Sequence, residues 1–170
     1  MSKKQKGFSL IELLIVVAII LIIAAIAIPN LLRAKMAANE SSAVGSIRTI
    51  NTAEVSYATN YASLGYSASL ANLGGTAVTC ATATGASSAT ACLIDDTLAG
   101  ATAAGVAKSG YFFTYVTTAP GSGTIVSAYT NNGAPANAGV TGQAYFFSDQ
   151  SGVIRKGDNS AASLASSAIQ

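Results

Sequence analysis

Histidine is absent from this 170-residue chain, and charged residues make up only 9% of it. Ordinary soluble domains carry about 25% charged residues. Without histidine the chain lacks the commonest general base and the commonest transition-metal ligand. No glycine-rich loop follows a strand and opens a helix, so no phosphate-binding site is indicated. We therefore predict a protein that is not an enzyme, with no catalytic residue, no metal and no cofactor.

Positive charge is scarce and is concentrated at the start of the chain. Three of the nine basic residues are Lys3, Lys4 and Lys6, and the other six face seven acidic residues. Proteins that bind nucleic acid present a clustered basic face. The C-terminal part has too few basic residues for one, so no nucleic-acid partner is predicted.

Cysteine is almost as rare, since Cys80 and Cys92 are the only two. Two cysteines form at most one bridge, and a disulfide is the expected state if this part of the chain lies outside the cytoplasm. A bridge closing a loop of this size stabilises the fold by about 3 kcal/mol in the chain-entropy model. The alternative is a pair of free, buried thiols.

Apolar residues, in contrast, form one long run near the N-terminus. Residues 13–28 are sixteen consecutive apolar residues, and the run extends back to Phe8 with only Ser9 and Glu12 interrupting it. As a helix, residues 8–28 would measure about 31 Å, which matches a hydrocarbon core of about 30 Å. The preceding lysines place the N-terminus in the cytoplasm and the rest of the chain outside.

Two simple interpretations of this run compete. One is a secretory signal, with cleavage after Ala27 in the small-residue sequence Ala-Ile-Ala. The other is a plain membrane anchor. Neither explains Glu12, because a carboxylate within an apolar membrane segment is costly and usually functional.

The stretch "KGFSLIELLIVVAIILIIAAIAIPN", residues 6–30, closely resembles the class III signal of type IV pilins and pseudopilins. In that family a prepilin peptidase cleaves after the glycine, here Gly7, and the new N-terminal residue, here Phe8, is N-methylated. Glu12 then falls at the fifth position of the mature chain, where the family carries its glutamate. The resemblance implies no catalytic residue, but it does imply a role for this carboxylate.

In the family the glutamate is taken to neutralise the N-terminal amine of a neighbouring subunit during assembly. An α-amino group at Phe8, with a reference pKa of about 7.7–8.0, would be largely cationic at neutral pH. Pairing of Glu12 with the amine of its own chain is the alternative, and we favour the intermolecular pair. Pro29 removes the backbone hydrogen bond to the carbonyl of Ala25 and predicts a helix kink.

The helix is predicted to continue from residue 31 to residue 61, with an apolar stripe for packing. The stripe comprises Val44, Ile47, Ile50, Val55, Tyr57, Ala58 and Tyr61. Asn51 and Glu54 fall inside it, and three explanations stay open: bonds to loop backbone, bonds to another subunit, or an error in the helical projection. The tyrosines Tyr57, Tyr61 and Tyr66 are interpreted as core packing.

The remaining chain divides by composition. Residues 62–110 are rich in small residues and predict a loop stapled by Cys80–Cys92, and the resemblance to pilins implies that this loop is variable. Asp95 and Asp96 in it are interpreted as a solvated turn. Aromatic and β-branched runs at 110–119, 124–130, 142–149 and 152–156 predict four antiparallel strands. Residues 157–170 offer little to pack and are predicted to be a mobile tail.

Together these observations predict an α+β, type IV pilin-like fold, with a long N-terminal helix packed on a four-stranded antiparallel sheet. The predicted domains are a leader at 1–7, a transmembrane or filament-core helix at 8–30 and a head at 31–170. The head divides into a helix at 31–61, a loop at 62–110, a sheet at 111–156 and a tail at 157–170.

The predicted function is a structural subunit of a type IV pilus, which is stored as a single-pass inner-membrane protein and then becomes part of an extracellular pilus. Its partners would be further copies of itself in a helical filament, the prepilin peptidase and methyltransferase, and the pilus assembly machinery. The alternatives are a pseudopilin of a type II secretion system, a minor pilin, or a secreted domain released after Ala27.

The cleavage site gives a first testable prediction. Gly7→Val should leave the leader attached, because the side chain blocks the junction that the peptidase recognises in the family. Intact-mass measurement of the membrane-extracted chain should find residues 1–7 still present in the variant and absent from the unsubstituted chain. Normal trimming of the variant would contradict the assignment of Gly7.

Overall fold

A computed structural model of the chain describes residues 8–81, 86–119, 125–158 and 162–169. The chain divides into two compact units, with the boundary between Lys35 and Met36. The elements, in chain order, are helix α1 (Leu10–Asn60), short helices α2 (Leu70–Leu73), α3 (Ala77–Cys80) and α4 (Asp96–Ala99), a 3-10 turn (Ala104–Val106), and strands β1 (Tyr111–Thr118), β2 (Ala128–Pro135), β3 (Ala144–Asp149), β4 (Arg155–Asp158) and β5 (Ser167–Ala168).

The N-terminal unit consists of the first part of α1. Its large apolar side chains from Phe8 to Leu32 are all between 45% and 83% exposed. Within the described part of the chain, α1 is the one helix long and apolar enough to cross a membrane. A helix that is apolar all round needs a surrounding apolar phase, so this segment is not a surface helix of a soluble domain.

The C-terminal unit is built on an antiparallel sheet with strand order β1-β2-β3-β4-β5. The long helix and antiparallel sheet confirm the predicted α+β fold, but the sheet has five strands rather than four. Ser167 and Ala168, placed in the predicted mobile tail, pair with Lys156 and Arg155. Ala162 is also buried. The tail therefore packs on the domain, because a sheet edge offers backbone partners whatever the side chains are.

The second strand lies further along the chain than predicted. β2 runs through Asn131, Asn132 and Gly133, which the sequence placed in a loop, and pairs with β1 from Ala128 to Pro135. Asparagine, glycine and proline are depleted in strands, so propensity predicted a loop. Pairing with β1 over its whole length outweighs that preference.

The core lies between the second part of α1 and the sheet. The helix buries Ile47, Ile50 and Tyr57 as predicted, but Val55 is 63% exposed, so its place in the stripe was wrong. The buried face also includes Asn51 and Glu54, which the sequence analysis placed inside the stripe.

The segment predicted to be an irregular loop contains α2, α3 and α4, and a disulfide between Cys80 and Cys92 with Cα atoms 5.8 Å apart. The predicted bridge is confirmed. Gly75 lies directly against it, since a Cβ there would be 2.6 Å from Cys80 Sγ and 2.8 Å from Cys92 Sγ. The amide of Cys92 donates to the carbonyl of Gly74 at 3.1 Å, which folds the bridged loop back onto the end of α2.

Replacing both Cys80 and Cys92 by serine is expected to lower the free energy of unfolding by about 3 kcal/mol, because the unfolded chain gains the entropy of an open loop. Denaturant titration of the full chain in detergent would measure the loss. Reduced unsubstituted chain is the matched control and should unfold at the same midpoint as the double variant. An unchanged midpoint in both would contradict a stabilising bridge.

Candidate assembly site

The N-terminus of α1 is closed by Ser9 and Glu12. The amide of Ser9 donates to Glu12 Oε2 at 2.9 Å, and the amide of Leu13 donates to the Ser9 carbonyl at 3.3 Å. Ser9 precedes the first helical residue and Glu12 is three residues later, which is the spacing of a capping box. The sequence carried this signal as Ser-x-x-Glu before an apolar run, but the prediction did not use it.

Glu12 therefore has a role within its own chain as well as the predicted role in assembly. Its second oxygen, Oε1, has no hydrogen-bond partner among the described residues, and the side chain is exposed. One carboxylate oxygen thus satisfies a backbone donor at the helix start, and the other is not used by the described part of the chain. The negative charge also lies at the positive end of the helix dipole, which favours it.

The other predicted positions of this site are placed as follows. Gly7 lies outside the described residues. Phe8 immediately precedes the capping box and is 83% exposed. Pro29 lies inside α1, which is assigned as helix on both sides of it. The kink at Pro29, cleavage after Gly7 and methylation of Phe8 stay predictions.

In the C-terminal unit, Glu54 is fully buried and bonds to the segment after α1. Its oxygens accept hydrogen bonds from the Ser67 amide at 2.9 Å, the Ser67 hydroxyl at 2.5 Å and the Tyr115 hydroxyl at 2.6 Å. Three donors satisfy a charge that would otherwise be costly to bury. Of the three explanations open for Glu54, the bond to loop backbone applies.

Asn51 is satisfied in the same way, between the helix and the sheet. Its side-chain amide donates to Ser148 Oγ at 2.8 Å, and its carbonyl oxygen accepts from the Tyr129 hydroxyl at 3.2 Å. Like Glu54, it is committed to its own chain. These two polar side chains fix the register of α1 on the sheet, because sliding the helix would leave each of them unpaired in the core.

The buried phenols respond to this environment. Burial, and then the charge of Glu54, raises the pKa of Tyr115 and of Tyr129 above the ordinary value for tyrosine. Tyr57 and Tyr61 pack with ring centroids 4.8 Å apart, and Tyr66 meets Tyr129 at 5.0 Å. Tyr57, Tyr61 and Tyr66 thus pack against other aromatic rings, as the sequence indicated.

Asp95, considered above as part of a turn, caps α4 and pairs with a lysine. Its carboxylate accepts from the Leu98 amide at 3.2 Å and from Lys108 Nζ at 2.8 Å, and it also accepts from the Thr97 hydroxyl. Burial alone would raise the pKa of Asp95, but the bonds from Lys108 and Thr97 outweigh it and hold that pKa below its ordinary value. The carboxylate is thus engaged in closing a turn.

Comparison with known proteins concerns the N-terminal segment. A family model described as the prokaryotic N-terminal methylation motif matches residues 2–28. The type IV major pilin protein PilA of Myxococcus xanthus is 45% identical over 56 residues, which are 33% of this chain and 26% of that protein. The type IV wide pilus major component PilA4 of Thermus thermophilus is 62% identical over 39 residues, 23% of this chain and 30% of that protein. No solved structure matches the chain significantly.

A methylation motif that opens a long apolar helix, in a chain whose helix also packs on an antiparallel sheet, defines a pilin-like protein. Over these lengths the chain is similar to major pilins of type IV pili, and its residues 2–28 match the methylation motif. The matched part spans less than a third of the length of each of these two relatives. The assembly and the partners of this chain therefore do not follow from these two relatives.

The Glu54 cluster gives a prediction for the head. Tyr115→Phe should lower the free energy of unfolding by about 1.5–3 kcal/mol, because it removes a hydrogen bond to a buried charged group. Tyr145→Phe on β3 is the matched control, since no hydrogen bond is found for its hydroxyl among the described residues. Thermal unfolding of both variants would test the difference. Equal melting temperatures for the two would show that the Glu54 contact contributes nothing.

Proposed function

We propose that this chain is a structural subunit of a type IV pilus that polymerises through the N-terminal part of α1. The observation that carries the proposal is the apolar surface of residues 8–32, which has no protein covering within the described chain. Burying one large apolar side chain yields about 1.5–3 kcal/mol. Such a surface must be covered, first by lipid and then by copies of the same helix.

The charged end of this surface gives the assembly its direction. Cleavage after Gly7 frees an amine at Phe8, and that amine is N-methylated. The second carboxylate oxygen of Glu12 in one subunit forms an ion pair with the N-terminal amine at Phe8 of the next subunit. In a water-poor filament core a matched pair is strongly favoured over two isolated charges. Arrangements of subunits that leave either charge unpaired are therefore disfavoured.

Before assembly the subunit is stored in the inner membrane, with its N-terminus cytoplasmic and its head outside. The Cys80–Cys92 bridge supports an oxidising location for the head, because disulfides persist outside the cytoplasm. After assembly the heads form the outer surface of an extracellular pilus. Prepilin peptidase and the pilus assembly machinery are the partners this requires.

We favour a main pilus subunit over a pseudopilin or a minor pilin. Both relatives described above are named as major pilus components, and the similarity to each is longer than the matched methylation motif. Abundant long filaments in electron micrographs would support this choice. Filaments seen only on overproduction would instead support a pseudopilin.

Substitutions at Glu12 separate its two roles. Glu12→Gln keeps an oxygen to accept the Ser9 amide but removes the charge, whereas Glu12→Ala removes both. If the charge pairs with a neighbouring amine, both variants should lose filaments while remaining processed and inserted in the membrane. Pilus yield per cell and the mature N-terminal mass would be measured together.

The contrasting outcome is also informative. Wild-type filament yield from Glu12→Gln, with loss only in Glu12→Ala, would reduce Glu12 to a helix cap and overturn the pairing role. Ser9→Ala, which keeps the Ser9 amide that donates to Glu12, is the control for a change at the same helix end.

A further inference from the structure

The two edges of the head sheet are protected differently. At one edge, β5 covers Arg155 and Lys156 of β4 with a strand of only two residues. At the other edge, β1 is eight residues long, contains neither lysine nor proline, and reads Tyr-Phe-Phe-Thr-Tyr-Val-Thr-Thr. Short edge strands and edge charges prevent pairing with other chains, whereas long uncharged edges promote it.

Only the first part of the β1 edge is occupied. Tyr111 exchanges both backbone hydrogen bonds with Lys108 at 2.8 and 2.9 Å, and the amide of Phe113 donates to the Ala101 carbonyl at 2.7 Å. Backbone groups of an antiparallel strand face alternate sides. Those of Tyr115 and Thr117 therefore point the same way as those of Phe113, away from β2.

Past Phe113 these outward groups are unpaired. Among the described residues, no hydrogen bond reaches the outward amide or carbonyl of Tyr115, Thr117 or the following Ala119. A groove of about 290 Å³ runs beside Thr114 and Tyr115, and Val116 is 53% exposed. The free edge thus consists of three outward-facing residues with space alongside.

We propose that this edge, residues 115–119, pairs with the same edge of a second copy of the chain, antiparallel and centred on Thr117. In this register Thr117 lies opposite its own counterpart and exchanges both backbone bonds with it. Tyr115 does the same with Ala119 of the other copy. Every outward backbone group of the free edge then has a partner. The contact ends at Phe113, because its outward amide already donates to the Ala101 carbonyl.

The side chains favour self-pairing in particular. A twofold contact places two identical edges side by side, so a charged edge would bring like charges together, which is destabilising. Residues 114–119 carry no charge. Val116 would lie opposite Thr118 of the second copy, and β-branched residues pack well across strands. The charged residues beside β5 make the other edge a poorer partner.

The proposed register makes a specific cross-linking prediction for the full chain in detergent. The native cysteines are bridged to each other and none is free, so a thiol introduced at residue 117 would be the only one. In a bonded antiparallel pair the Cα atoms are about 5.5 Å apart, within the range of a disulfide. Mild oxidation of Thr117→Cys should therefore give a disulfide dimer on a non-reducing gel.

Thr114→Cys is the matched control on the same strand. Its two copies would lie roughly 20 Å apart along the paired strands and should stay monomeric. Equal cross-linking of the two variants would mean random collision, and no dimer from Thr117→Cys would mean that another strand, or nothing, covers this edge. Either result would overturn the proposal.

A second measurement does not depend on introduced cysteines. Thr117→Pro removes an amide that faces away from β2, so the β1–β2 ladder keeps all its donors. Thr117→Val keeps that amide. In sedimentation of the detergent-solubilised chain, the proline variant should dimerise at least about tenfold more weakly than the valine variant. Equal dimerisation of the two, with both folded by circular dichroism, would refute the proposal.

The inference goes beyond the proposed pilus and is tested separately from it. Single filaments of Thr117→Pro should still form, and their lateral association in electron micrographs should be reduced relative to Thr117→Val. Loss of all filaments in both variants would indicate a defect in filament assembly. The dimerisation measured in detergent would then still test whether the β1 edges pair.

Discussion

The requirement to cover an apolar helix determines most of what this protein can do. The first part of α1 presents large apolar side chains on every face. Water on all sides of such a helix is unfavourable, so the segment lies either in lipid or among other apolar helices. Because lipid and a bundle of helices are similarly apolar, transfer between them is a nearly balanced exchange. Small specific interactions then decide the outcome.

The charge at the start of that helix is such an interaction. Glu12 contributes to helix capping through one oxygen, and its other oxygen has no hydrogen-bond partner among the described residues. A carboxylate that serves only as a cap would be equally well replaced by a neutral acceptor. A carboxylate that also meets an amine needs its charge. In the proposed function, the same side chain would link the local structure of the helix start to the assembly of many chains.

The head depends on polar contacts in an otherwise apolar core. Glu54 and Asn51 each bind groups far away in the sequence, Glu54 on Ser67 and Tyr115, Asn51 on Ser148 and Tyr129. Sequence periodicity detected both residues on the buried face but left their partners open. A helical projection contains no information about which loop or strand will lie opposite. Their partners follow only from the tertiary fold.

The features that the sequence predicted well lie within short segments or follow from the number of residues of one type. The apolar run and the matched methylation motif lie within a short segment, and two cysteines allow one intramolecular bridge. The errors arose where pairing between distant segments decides the structure. β2 takes in Asn131 and Gly133 because β1 lies beside them, and the last residues form a strand because β4 has a free edge. The capping box is also local, but the resemblance to pilins led to Glu12 being interpreted through assembly alone.

Symmetry separates the two kinds of association that the chain supports. A pilus grows by repeating one screw operation, so its contacts join different surfaces of neighbouring subunits and leave growth open. An edge that pairs with its own copy has a twofold axis and closes after two chains. The β1 contact therefore cannot be a repeating contact along such a filament. The proposed contact would instead join chains that the filament operation does not relate, as in the lateral association of two filaments.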